Sequence, residues 1–261
     1  MSGRDSGFVM LSKRIRAMGG AHWLVLFGLI LTGWMALWMM SVPAETRELS
    51  RIYGVDFWVE LCLATPDISG FPKLFLMWSL MSAAMMLPTA LPSFATYDDL
   101  STQAETSFGK LVLGYLAVWI GFSALAAAAQ IAFMRAGLLD GVGSSRSALF
   151  SAALLLLAGG YQFSALKDAC LTQCRMPLTF FMQHWDEGPL RMGIRLGAVC
   201  LGCCWALMLL GFVGGVMSLG FMALATVIMV FEKLPDLGRY VSKPLGVILI
   251  MSALWVAVIG I

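Results

Sequence analysis

Long apolar segments alternate with short polar ones along this chain. At about 20 residues per helical crossing of a bilayer, seven of these segments have a length that can span a membrane or nearly do so. Backbone N–H and C=O groups in hydrocarbon need partners within their own segment, so each is predicted to be a helix. The pattern predicts an all-α fold, a polytopic transmembrane helix bundle of about seven spans: His22 to Met40, Phe71 to Leu91, Leu111 to Phe133, Ser147 to Leu166, Leu196 to Gly215, Val216 to Phe231 and Leu245 to Ile261.

Two features divide or interrupt these segments. The fifth and sixth are continuous in hydropathy, but together they far exceed one bilayer thickness, so Gly214 and Gly215 are predicted to form a tight turn between them. Near the end of the second segment, Pro88 and Pro92 each remove a helical hydrogen bond. We expect the helix to bend or end there.

Composition agrees with a membrane protein. Of the 261 residues, 60% are hydrophobic and only 12% are charged, whereas charged residues make up about a quarter of a soluble globular protein. We therefore expect residues 1–261 to form a single integral membrane domain. The formal net charge of +2 gives no basic field for nucleic acid, so the expected partners are the lipid bilayer and, as an open alternative, other membrane subunits.

Orientation follows from the distribution of Lys and Arg. With the N-terminus inside, the cytoplasmic segments carry 12 of these residues and the outer loops carry 5, which favours an N-terminus in and a C-terminus out. The predicted location is a cytoplasmic (inner) membrane. The loop from Ser41 to Gly70 is expected outside, as a short amphipathic segment at the interface.

Five of the six cysteines fall within 35 residues, on a predicted continuation of the fourth helix and on the fifth segment. Cys170 and Cys174 are four residues apart and share one face of a helix, and Cys200, Cys203 and Cys204 have the i, i+3, i+4 spacing of another shared face. Because the two segments are antiparallel, both groups are predicted at the cytoplasmic side. The candidate metal ligands are Cys170, Cys174, Cys200, Cys203 and Cys204.

Thiolates select soft cations such as Cu(I) or Zn(II). The 19 methionines favour copper, because Cu(I) also accepts thioethers, while zinc stays an alternative. Two other interpretations remain open: cysteine also packs as a small hydrophobe, and outside the cytoplasm the thiols would pair as disulfides. We find no phosphate-binding glycine loop, no haem-type histidine pair and no Ser/His/Asp set, so no enzymatic activity is expected, and no role is assigned to Cys62 or His184.

Four strings of this sequence resemble an uncharacterised bacterial family of predicted metal-binding integral membrane proteins. They are AAMMLPTALP, GYLAVWIGFSALAAAAQ, YQFSALKDACLTQCRMPLTF and CLGCCWALMLLGFVGGVMSLGFMALATVIMVFEKL. The resemblance covers most of the chain from the second span onward, and it implies a metal site at the five clustered cysteines. Many relatives have histidine where this chain has Gln173 and Leu196, a departure that leaves sulfur as the donor here.

Two hypotheses from different classes follow. In the first, the protein binds a soft metal ion, copper by the argument above, at the clustered cysteines and handles or delivers it. In the second, it is a non-catalytic structural or assembly subunit of a membrane complex, and the cysteines are packing residues. A thiol oxidoreductase is a third alternative, which would need an accessible thiol of low pKa.

Overall fold

The all-α prediction is confirmed by a computed structural model, which describes residues 20–41, 67–101, 107–216, 218–235 and 238–260. Cys62 and most of the loop from Ser41 to Gly70 lie outside the described residues. The helices are α1 Ala21–Met40, α2 Phe71–Ser101, α3 Phe108–Arg135, α4 Ala148–Tyr161, α5 Ala165–Arg175, α6 Pro177–His184, α7 Pro189–Leu209, α8 Gly211–Gly214, α9 Leu219–Lys233 and α10 Gly238–Ile259.

Five of the described helical segments are long and apolar enough to cross a membrane: Ala21–Met40, Phe71–Leu100, Phe108–Arg135, Pro189–Gly214 and Tyr240–Ile259. The predicted fourth span is different, because the chain bends by 61° between α4 and α5. These two helices together pass the same test, which gives up to six crossings. The predicted sixth span is the 15-residue helix α9, so the expected number of about seven is approximate.

Helix α2 does not end at either of its prolines, and it continues to Ser101. Pro88 has no N–H for the carbonyl of Ala84 four residues earlier. The indole of Trp34 on α1 instead donates to that carbonyl at 3.0 Å. A neighbouring helix thus satisfies the freed backbone group, as burial in an apolar bundle requires.

The predicted break between the fifth and sixth spans is confirmed. Helix α8 ends at Gly214, and Gly215 follows with φ of +86°, a left-handed conformation that favours glycine. Ser218 then begins α9, because its side chain accepts a hydrogen bond from the backbone N–H of Phe221.

Helices α3 and α7 make the closest approach that bears on the site. A β-carbon at Gly114 of α3 would collide with the carbonyl oxygen of Leu190, and one at Gly193 of α7 would collide with that of Leu111. Gly197 lies one turn beyond Gly193. A β-carbon added to Gly197 would be 3.0 Å from the Tyr115 carbonyl oxygen. Small residues at i and i+4 are the usual means of bringing two backbones together in an apolar bundle. This contact fixes Tyr115 beside the cysteines of α7.

Candidate metal site

Three cysteines of α7 meet on its buried face. Cys200, Cys203 and Cys204 are each 1% exposed, and their sulfur atoms all lie within 4.8 Å of one another. The Cys203 thiol donates to the Cys200 carbonyl at 3.1 Å, and its sulfur is 3.2 Å from that of Cys204. All three are free thiols. The i, i+3, i+4 spacing thus gives the shared face that the sequence predicts, and we call these residues the cysteine cluster.

The two cysteines of α5 lie differently with respect to the cluster. Cys174, in the last turn of α5, is buried beside Cys203, but its sulfur is not one of the three that all lie within 4.8 Å of one another. The Cys170 sulfur packs against Gly202, where it would be 2.6 Å from an added β-carbon. Gly202 is about 200° around α7 from Cys200. The structure therefore brings Cys174 to the cluster and leaves Cys170 against a different face of the same helix.

Lys233 is the functional residue that the sequence does not reveal. Its position in the sequence suggests that it lies in a polar connection on the cytoplasmic side. In the structure it is the last residue of α9, and its side chain is only 7% exposed. The Lys233 Nζ donates to the Cys200 Sγ at 2.9 Å and to the Thr89 Oγ1 at 2.7 Å. A lysine at the end of an apolar helix usually extends its ammonium toward water. Only the tertiary contact with Cys200 distinguishes this one.

The positive charge of Lys233 is complementary to the negative charge of a cysteine thiolate. A buried charge is tolerated only when it is paired and hydrogen-bonded. The Lys233 Nζ is 2.9 Å from the Cys200 sulfur, so an anionic sulfur at Cys200, the form in which cysteine binds metal ions, gives the ammonium such a partner.

A tyrosine completes the surroundings of Cys200. The Tyr115 hydroxyl donates to the Met86 carbonyl at 3.0 Å and is also 3.0 Å from the Cys200 sulfur. Thr89, the second partner of Lys233, donates to the same Met86 carbonyl at 2.9 Å. Helices α3 and α9 therefore each place a polar group at hydrogen-bond distance from one sulfur of α7, and α2 hydrogen-bonds to both of these groups.

A buried ion pair holds α9 against α5. The Lys167 ammonium donates to both carboxylate oxygens of Glu232, at 3.0 and 2.9 Å, and the two side chains are 0% and 1% exposed. The Nε of Arg175 donates to the Glu232 carbonyl at 2.9 Å. Glu232 directly precedes Lys233, so this pair fixes the rotation of α9 that directs Lys233 toward Cys200. The sequence suggests that Lys167 lies in a polar connection, and its complete burial is a correction.

Other side chains that could bind a soft metal ion lie elsewhere or act through their backbone. His184 closes α6, with its Nδ1 2.8 Å from the Phe180 carbonyl and its ring packed on Phe180. Met85 and Met86 are buried, and the contact that Met86 makes with Tyr115 is through its carbonyl. Met182 is exposed on α6.

A protein-family model described as PpoB2, copper chaperone, matches residues 75–256, a range that includes all five clustered cysteines and Lys233. The chain belongs to the PpoB2 copper chaperone family. No curated protein and no solved structure matches it. The match confirms the expected relation to a metal-handling family, and together with the buried cysteine cluster it supports copper as the ion that this PpoB2 protein binds.

Proposed function

We propose that this PpoB2 protein is an integral membrane copper chaperone that holds Cu(I) at the cysteine cluster and passes the ion on without catalysing a reaction. The observation that carries the proposal is the set of three buried sulfurs within 4.8 Å of one another on α7. Buried free thiols so close together can all bind one soft ion, whereas packing alone does not require their sulfurs to converge.

Cu(I) suits this donor set better than Zn(II). Thiolates and thioethers select Cu(I), while a structural zinc ion takes four ligands in a closed tetrahedron. Two thiolates and one Cu(I) carry a net charge of −1, and the Lys233 ammonium 2.9 Å from Cys200 balances it. A copper site of this kind is electrically neutral within the apolar bundle, which keeps the cost of burial low.

The helices support a location in a membrane. Helix α10 exposes a face of large apolar side chains, which lipid would cover: Val247, Ile248, Met251, Leu254, Trp255 and Val258. Lys167 and Lys233 are buried, so they no longer count as loop charges. The remaining Lys and Arg residues number ten on the proposed cytoplasmic side and five on the other side. We assign the protein to the bacterial cytoplasmic membrane, with the cysteine cluster toward the cytoplasm.

Titration of the purified, reduced protein with Cu(I) against a chromophoric Cu(I) chelator tests the copper site. The parent should bind about one Cu(I) per chain, and replacement of Cys200 and Cys204 together by Ser should abolish binding, because one remaining cluster thiolate cannot outcompete the chelator. Cys170→Ser is the matched control: it removes a neighbouring thiol outside the cluster and should leave binding unchanged.

Two results would change this account. If the Cys200→Ser, Cys204→Ser double variant binds copper as tightly as the parent, the cluster is a packing feature and the structural-subunit hypothesis replaces the chaperone. If Cys170→Ser weakens binding as much as Cys200→Ser does, Cys170 is a ligand, as the sequence predicts, and the site extends around α7.

A further inference from the structure

A cavity of about 540 Å³ lies beside the cysteine cluster, where α2 and α9 end and α5 passes into α6. Its volume is within the range of small-molecule sites in proteins. Most of its wall is apolar, and the polar or sulfur-bearing side chains that matter here are Asp99, Cys174, Arg175, Met176 and Lys233.

Two residues belong both to the cavity wall and to the surroundings of the cluster. Cys174 lines the cavity and lies beside Cys203. Lys233 lines it as well, and its ammonium is 2.9 Å from the Cys200 sulfur. One layer of side chains therefore separates the cavity from three sulfurs that have almost no exposure of their own. A copper ion that reaches the cluster from outside must pass such a layer.

We propose that this cavity is the port through which thiolate-bound Cu(I) enters and leaves the cluster, with Cys174 as the first cysteine to receive the ion. The proposal rests on the copper function proposed above and adds the route by which the copper ion enters and leaves the cluster. The occupant is a complex of Cu(I) with a small thiol, which the volume accommodates. Arg175 lines the cavity, and among the described residues its Nη2 is buried without a hydrogen-bond partner, which favours an anionic complex such as Cu(I) bis-thiolate.

The transfer is a ligand exchange at unchanged oxidation state. The bond between Cu(I) and the carrier sulfur breaks as a bond to the Cys174 sulfur forms, and the Cys174 proton passes to the released carrier thiolate. In the second step the copper bond moves from Cys174 to Cys203 and the Cys203 proton returns to Cys174. The Cys200 thiolate, paired with Lys233, then displaces the second carrier sulfur, which leaves as the free thiolate. The exposed thioether of Met176 at the cavity wall is a further soft donor on the approach.

The test separates the rate of loading from the affinity for copper. Leu178 lines the cavity and is 55% exposed, so Leu178→Trp obstructs the port without disturbing the buried core. Leu166→Trp is the matched control, because Leu166 is 62% exposed on α5 and does not line the cavity. Loading from a Cu(I)–glutathione complex is followed by stopped flow, and the equilibrium affinity is measured by chelator competition.

We expect Leu178→Trp to load about tenfold more slowly than the parent, with unchanged affinity, and Leu166→Trp to load at the parent rate. Thr179→Trp, at a second exposed cavity position, serves the same purpose if Leu178→Trp does not fold. Cys174→Ala should also slow loading, by more than it weakens equilibrium binding.

Three outcomes overturn the proposal in distinguishable ways. Tryptophan variants that load at the parent rate rule out the cavity as the port while leaving the copper site intact. A Cys174→Ala variant that loads at the parent rate excludes Cys174 as the first acceptor. A parent protein that binds no copper at equilibrium overturns the proposed function, and the port with it.

Discussion

At the scale of single residues, Lys233 decides how well the cluster holds an anionic copper complex. Lys233→Met keeps the length and the apolar stem but removes the charge 2.9 Å from Cys200. A hydrogen bond to a charged group contributes about 1.5–3 kcal/mol, so we expect Cu(I) affinity to fall by about one to two orders of magnitude. Chelator competition measures this change.

The matched control is Lys243→Met on α10, where the lysine is exposed and its charge is screened by solvent. Affinity should not change in this variant. Equal copper affinity in Lys233→Met and the parent would show that the ammonium is not the counter-charge of the site.

The Lys167–Glu232 pair makes a second prediction at this scale. Glu232→Gln leaves the completely buried Lys167 ammonium without its counter-charge, and loss of one partner of such a pair costs about 3–5 kcal/mol. Replacement of both residues, Lys167→Met with Glu232→Leu, removes both charges and should recover most of that loss. Unfolding in mixed micelles gives the free energies, and a double variant no more stable than Glu232→Gln would contradict this interpretation.

At the scale of elements, the contact between α3 and α7 determines whether the site assembles. A β-carbon at Gly193 collides with the backbone of Leu111, whereas one at Gly121 of α3 meets nothing within 4 Å. Gly193→Ala should therefore destabilise the bundle and weaken copper binding, although it touches no cysteine. Gly121→Ala should be neutral or stabilising by up to about 1 kcal/mol, because alanine is the better helix former.

Melting temperatures of the two alanine variants in detergent measure the difference. Both substitutions add the same methyl group to a glycine in a helix, so helix propensity alone predicts the same sign for both. Identical melting temperatures would mean that the two helices do not approach as closely as described.

The sequence predicts elements whose signals are local and misses those that depend on distant partners. The shared face of Cys200, Cys203 and Cys204 and the break at Gly215 follow from spacing and glycine alone. The continuation of α2 past Pro88 depends on Trp34, 50 residues away in the chain. The burial of Lys233 likewise depends on a sulfur 33 residues away, and no local pattern contains that information.

At the scale of the whole molecule, the orientation in the membrane is the prediction to test. With the buried Lys167 and Lys233 left out of the count, ten Lys and Arg residues of the predicted cytoplasmic segments compare with five of the predicted outer loops. A reporter fused at Glu187, between α6 and α7, should therefore give a cytoplasmic signal, and one fused at Gly141, between α3 and α4, should give an external signal. The reverse pattern would place the cysteine cluster toward the outside and revive disulfide formation.

The account as a whole depends on copper being bound by sulfur at the cluster. X-ray absorption at the copper edge, recorded on Cu(I)-loaded protein, reports the nearest neighbours of the ion directly. We predict an edge typical of Cu(I) and a shell of sulfur neighbours that disappears when Cys200 and Cys204 are both replaced by Ser, and that persists in Cys170→Ser. A shell of nitrogen or oxygen neighbours, or a sulfur shell unchanged by the double replacement, would contradict the assignment.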